Sequence, residues 1–190
     1  MSFPPLTLAT ARWRPVAGDG LEHLDLRRKG EDIVAEGVIV GSRDAPPYGV
    51  RYRLVCDAGW RTRLLHVHTT AGRSLHITSD GEGNWSDGHG NRLAHLDGCI
   101  DVDLAGSPFT NTLPIRRLDP KPADGAQALT MVYIPFATFE PTTDGQRYTC
   151  LEAGAVYRYE AADRSFTGDL PVDENGLVTD YPGLFVRVAL

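Results

Sequence analysis

The sequence predicts an all-β protein: a long antiparallel meander rolled on itself into a half-open barrel from two similar halves. Three observations predict it. Apolar residues recur with a period of two, as in Val50-Arg51-Tyr52-Arg53-Leu54-Val55-Cys56, and successive strand side chains leave opposite faces. Turn signals return at intervals of about eight to twelve residues. No window keeps an apolar stripe at helical spacing over three turns; residues 21–29 come nearest and are too short.

The elements follow in order. Residues 33–40 are β-branched and bounded by turn residues, which suits a strand. Along residues 50–56, Tyr52, Leu54 and Cys56 share one face and Arg51, Arg53 and Val55 the other. Residues 61–68 alternate again, and residues 100–104 do so with Asp101 and Asp103 on one face. Later strands read at 129–134, 146–150, 156–160, 177–179 and 184–188. Asp57-Ala58-Gly59, Ala71-Gly72, Asp80-Gly81, Asp87-Gly88, Asp124-Gly125 and Asp144-Gly145 punctuate them. The polar, Pro-rich residues 120–127 read as a surface connection, and the strand count reaches double figures.

A chain of 190 residues is expected to form one domain over 1–190. It echoes itself at an offset of about 94 residues. Asp80-Gly-Glu-Gly83-Asn-Trp85-Ser-Asp87 resembles Asp173-Glu-Asn-Gly176-Leu-Val178-Thr-Asp180, and Tyr52 to Cys56 echoes Tyr148 to Cys150. Two related halves, roughly 33–104 and 129–187, are the expectation; a rolled sheet of this kind commonly encloses an apolar cavity.

Composition narrows the function classes. The formal charge is −6 and seventeen arginines stand against two lysines, with neither the surplus nor the stripe of a nucleic-acid binder. Cys56, Cys99 and Cys150 form no CxxC pair; free thiols in a reducing cytoplasm are expected. The start, Met1-Ser2-Phe3-Pro4-Pro5, carries no signal-peptide pattern. Runs such as Val38-Ile39-Val40 are too short to span a bilayer.

Several constellations invite chemistry. His66 and His68 point the same way on a strand, with His76 on the next, which is the start of a metal site. No carboxylate follows at cupin-type spacing, so structural histidines are expected and no metal or cofactor is assigned. Asp101 and Asp103, about 7 Å apart by strand geometry, suit acid/base work, a pocket mouth, or an ion pair with Arg116 or Arg117. No GxSxG, HExxH, GxGxxG or phosphate-binding loop is present, and Ser107 in Ala-Gly-Ser-Pro is no nucleophile elbow. Trp13, Trp60 and Trp85 suit stacking on a sugar ring or lipid head group as well as a β core.

The most distinctive run is Gly98-Cys-Ile-Asp-Val-Asp-Leu-Ala-Gly-Ser-Pro-Phe-Thr-Asn-Thr-Leu-Pro-Ile-Arg-Arg117. With Thr10-Ala-Arg-Trp13, Trp60 to Arg63, Asp80 to Trp85, Tyr133-Ile134-Pro135 and Asp180-Tyr-Pro-Gly183, it resembles a bacterial glycolipid-binding family long counted as a domain of unknown function. The resemblance covers essentially the whole chain. It implies a spiral β-roll and no established catalytic residues. Pro108 and Pro114 bracket Phe109 to Leu113 and stiffen it. Thr110 and Asn111 offer hydrogen bonds and Arg116 a fork, read as a rigid polar loop leading into an arginine strand.

The leading expectation is therefore a non-enzymatic binder of an amphipathic molecule such as a glycolipid. Its acyl chains would lie in the roll, with Asp101, Asp103, Thr110, Asn111, Arg116 and the three tryptophans as contacts. The alternatives are an enzyme on sugars or small polar metabolites, metal-dependent through His66 and His68, and an interaction module without a small ligand. Oligomeric state is left open.

Overall fold

The alternation read in the sequence becomes two β-sheets closed face to face over one core. The computed structural model describes residues 1–42 and 46–189. The first sheet is built from β1 (Leu8–Pro15), β2 (Gly20–Lys29), β3 (Asp32–Gly41), β4 (Tyr48–Cys56), β5 (Thr62–Thr69), β6 (Ser74–Ser79) and β7 (Trp85–Asp87). These follow one another as an antiparallel meander. The late strands β13 (Asp180–Tyr181) and β14 (Phe185–Arg187) then add to the free edge of β1, giving the order β13-β14-β1-β2-β3-β4-β5-β6-β7. The second, curled sheet has the order β12-β11-β10-β9-β8. Its strands are β8 (Val102–Leu104), β9 (Gln127–Ile134), β10 (Thr142–Glu152), β11 (Val156–Ala161) and β12 (Thr167–Pro171).

Inward residues are those the period of two selects. Tyr52, Leu54 and Cys56 are buried while Arg51 stands in solvent. The space between the sheets is filled rather than hollow: Trp13, Trp85, Tyr52, Tyr148, Tyr157 and Phe109 are all fully buried there. Large aromatic side chains occupy the volume that an open roll would leave for a ligand. Cys56, Cys99 and Cys150 are free and buried.

Besides residues 177–179, read as a strand but paired only through the isolated bridge of Val178 to Val172, the structure departs from the sequence reading in three places. Residues 21–29, the nearest approach to a helical stripe, lie in β2, with Leu24 and Leu26 turned inward. The pairing of β8 with β9 is parallel, Val102 facing Val132. Parallel neighbours need a long crossover, and residues 105–126 supply it.

The third departure corrects the placement of Arg116. The segment read as a loop leading into an arginine strand is a 3-10 turn at Pro108–Asn111 followed by α1 (Thr112–Leu118). Pro108 and Pro114 do not prevent this, because each sits in a first turn, where a missing N–H has no partner to lose. Seven helical residues are too few to display a stripe. Leu113 and Ile115 anchor α1 in the core, and Thr112 Oγ1 donates to the Gly176 carbonyl at 2.8 Å. Arg116 and Arg117 are thereby carried to one end of the sheet sandwich. No helix among the described residues is long and apolar enough to cross a membrane.

Candidate functional site

Four turns of one kind organise the loop ends. At Asp57, Oδ1 accepts the N–H groups of Gly59 and Arg61 at 2.9 and 3.0 Å. Asp80, Asp87 and Asp173 each bind the N–H groups two and four residues on in the same way. The fourth residue of each turn is left-handed. Three of the turns place glycine there: Gly83, Gly90 and Gly176. The fourth places Trp60, at φ 64°. A side chain in that region costs about 1–2 kcal/mol, and strain of this kind collects at functional sites.

The strain buys a position for the indole. Trp60 walls a cleft of about 350 Å³, together with Phe3, Leu6, Ile33, Arg28 and Arg116. That volume stands at the lower end of the roughly 300–1,000 Å³ of small-molecule sites. The Arg116 guanidinium lies between two aromatic faces, 4.7 Å from the Trp60 ring centre and 5.1 Å from that of Phe3. It donates to the Pro4 carbonyl at 2.9 Å and to that of Asn175 at 3.4 Å. Among the described residues no carboxylate lies within ion-pair distance of it. Burial pulls its pKa down while Asp119 and Asp173 pull it up. Arg117, on the same wall, is committed elsewhere: it forks onto Asp101, with Nη2 at 2.6 Å. The arrangement offers apolar walls, an aromatic face and a positive charge in one small space.

The other sequence-predicted contacts lie inside the fold. Asp101 is fully buried, and burial raises its pKa against the pull of Arg117. Asp103, raised by burial as well, accepts from Gln146 at 2.8 Å and from the Thr110 hydroxyl at 3.1 Å. Asn111 Oδ1 accepts the Tyr148 hydroxyl at 2.8 Å, and its Nδ2 donates to the Pro108 carbonyl at 3.1 Å. Asp103, Thr110, Gln146, Tyr148 and Asn111 form one network joining β8, β10 and the 3-10 turn, apart from the Asp101–Arg117 pair. Trp13 donates its indole N–H to the Val178 carbonyl at 2.7 Å, and Trp85 donates to that of Cys99 at 2.8 Å. Neither lines the cleft. Of the eight residues predicted as contacts, Trp60 and Arg116 meet there. The histidine rings do cluster on the sheet's outer face, His66 lying 4.4 Å from His68 and 5.2 Å from His76. Among the described residues, however, no three His, Cys, Asp or Glu side chains are grouped to hold a metal.

Phe3, Leu6, Ile33 and Arg28 were not readable as site residues. The usable signal was Trp60 itself, standing where sister turns of the chain carry glycine.

A second group escaped the sequence. Glu22 points inward from β2 and is buried, 2% exposed. One oxygen accepts both the Tyr52 hydroxyl and the Ser107 hydroxyl, each at 2.7 Å; the other, Oε2, has no hydrogen-bond partner among the described residues. Burial pushes its pKa up to about 7, against the two hydroxyls. The Tyr52 ring reaches it by lying across Gly37, where a Cβ would overlap the ring. The signal was parity: Glu22 shares its phase with the inward Leu24 and Leu26.

Comparisons place this geometry. The family described as "Putative glycolipid-binding" matches residues 10–187. A crystal structure of a DUF1089 family protein from Pseudomonas aeruginosa is similar at a TM-score of 0.77 and 40% identity, over 93% of this chain and 95% of that one. No curated protein matches. On the span of the family match, together with the all-β sheets and the Gly98–Arg117 segment, the chain belongs to the glycolipid-binding family formerly numbered as DUF1089.

Proposed function

We propose that the chain is a non-enzymatic binder of an amphipathic molecule of glycolipid type, held in the cleft beneath Trp60 and Arg116. The ligand's apolar part lies against Phe3, Leu6 and Ile33. A sugar ring or other flat polar group lies against the part of Trp60 and Arg116 that faces the cleft, and Arg116 meets an oxygen of the head group. The carrying observation is the left-handed Trp60: the fold holds a strained tryptophan where glycine would serve, and its ring forms the wall of the cleft. The family description supports the ligand class. The filled space between the sheets favours this end cleft over the interior as the site. Three unpaired cysteines support a reducing compartment.

Native mass spectrometry of gently purified protein, with lipid extraction, tests the reading. A bound amphipath is expected, and titrating the stripped protein with it shifts Trp60 fluorescence. Arg116→Gln weakens the binding at least tenfold, the scale of a lost charged hydrogen bond of about 1.5–3 kcal/mol. Protein that carries no lipid and shows no fluorescence response to glycolipids or lysolipids sinks the proposal.

A further inference from the structure

The outer face of the first sheet concentrates positive charge on a chain whose formal charge is −6. The register lines up Arg12, His23, Val38, Arg51 and His68 in one row across β1 to β5. The next row holds Asp25, Glu36, Arg53, His66 and His76. Its Glu36 is taken up by Arg27 and Arg53. Among the described residues, Arg12, Arg14 and Arg51 have no carboxylate at ion-pair distance. Beside them the same face exposes Leu21, Val38 and Val40, at 38%, 49% and 49%.

We propose that this face docks onto an anionic lipid bilayer, with the arginines and histidines over the phosphates and Leu21, Val38 and Val40 pressed into the head-group layer. The charge is complementary to such a surface, where each nearby arginine strengthens binding about fivefold. The partner is an extended surface because the face is one: five neighbouring strands about 4.8 Å apart present a broad sheet. The exposed valines favour lipid over nucleic acid, whose phosphates offer nothing to apolar side chains.

His66 makes docking sensitive to pH. His66 is pressed from both sides, by His68 on its own strand and His76 on β6, with Arg51 of β4 nearby; burial and these neighbours lower its pKa. Arg53 of β4 flanks it too, and Glu36 and Asp25 lie further along its row. A layer of phosphates above His66 relieves the repulsion, so docking takes up a proton there and strengthens as pH falls. Docking needs no occupied cleft, and it stands or falls separately from the ligand reading.

Sedimentation of the full chain with vesicles tests it. Vesicles of phosphatidylcholine and phosphatidylglycerol in equal parts are expected to carry the protein down, more at about pH 5.5 than at about pH 8, and less as salt rises. Vesicles of phosphatidylcholine alone are expected to leave it in solution. Arg12→Gln with Arg51→Gln lowers partitioning about 25-fold, at about fivefold for each arginine. Val38→Thr with Val40→Thr weakens it while keeping strand propensity, and Arg164→Gln, in the turn between β11 and β12, changes nothing. Circular dichroism and Tm confirm that each variant folds. Equal binding to neutral vesicles overturns the proposal, as does partitioning indifferent to Arg12 and Arg51. Capture by duplex DNA or polyglutamate without capture by vesicles overturns it too.

Discussion

Replacing Glu22 with glutamine removes a titrating group from the interior and keeps its shape. The carboxyl is fully buried, with both hydroxyl donors on one oxygen and none on the other. Its folded pKa of about 7 stands above an ordinary 4.5. Between those values the folded state binds a proton that the unfolded chain has released, so stability falls as pH rises. The contribution is intact below about pH 4.5 and gone above about pH 7. At about 1.4 kcal/mol per pH unit, the gap amounts to about 3 kcal/mol. Glutamine carries no such slope. Its NH₂ group meets the same lack of an acceptor at the position of Oε2 that the O–H of the protonated acid meets. The variant is therefore expected to match the parent near pH 4.5 and to exceed it by about 3 kcal/mol near pH 8. Urea unfolding of both proteins across that range isolates the group, because every other titration cancels in their difference. A difference that stays flat with pH refutes the argument, for Glu22 would then ionise as an exposed carboxylate does.

Other perturbations follow from the same geometry. Trp60→Ala and Trp60→Gly both empty one wall of the cleft and abolish amphipath binding, but glycine relieves the left-handed backbone. The glycine variant is expected to be more stable by about 1 kcal/mol in the same unfolding assay. Arg117→Met strands Asp101 in the core and costs about 3–5 kcal/mol, whereas Arg117→Met with Asp101→Leu recovers most of it in thermal melts. Tyr148→Phe leaves Asn111 Oδ1 without its donor and lowers stability by about 1–3 kcal/mol, with no change in lipid binding.

The strands of the meander were legible because each pairs a buried face with a wet one, and Tyr52, Leu54 and Cys56 announce that directly. Residues 21–29 were not, since Leu21 and Glu22 break the alternation from opposite sides: the leucine is exposed and the glutamate buried. The helix at 112–118 was hidden by its prolines, which read as loop stiffeners until their first-turn positions are known. Buried polar pairing is equally silent, for nothing local in Asn111 shows that Tyr148 of β10 will meet it from 37 residues away. The echo between residues 80–87 and 173–180 is carried by the shared aspartate turn, which recurs at Asp57 and Asp87. Common ancestry of residues 33–104 and 129–187 is a proposal that rests instead on the meander present in each sheet. The cleft depended on the sequence only through Trp60; its other walls come from the N-terminal segment, β3 and α1, brought together by folding alone.

The seam between β1 and β14 sets a timetable for synthesis. Trp13 pairs with Arg187, and Pro15 with Phe185. A nascent chain elongating at about 5–20 residues per second leaves the edge of β1 unpartnered for roughly ten to thirty-five seconds after the strand leaves the ribosome. During that interval the hairpins from β1 to β7 can zip locally, yet one side of the sheet stays open to other chains. Truncations ending before residue 185 are thus expected to aggregate during expression even where most of the core is already encoded, and a chaperone that shields sheet edges is expected to matter more for this fold in the cell than in refolding from urea.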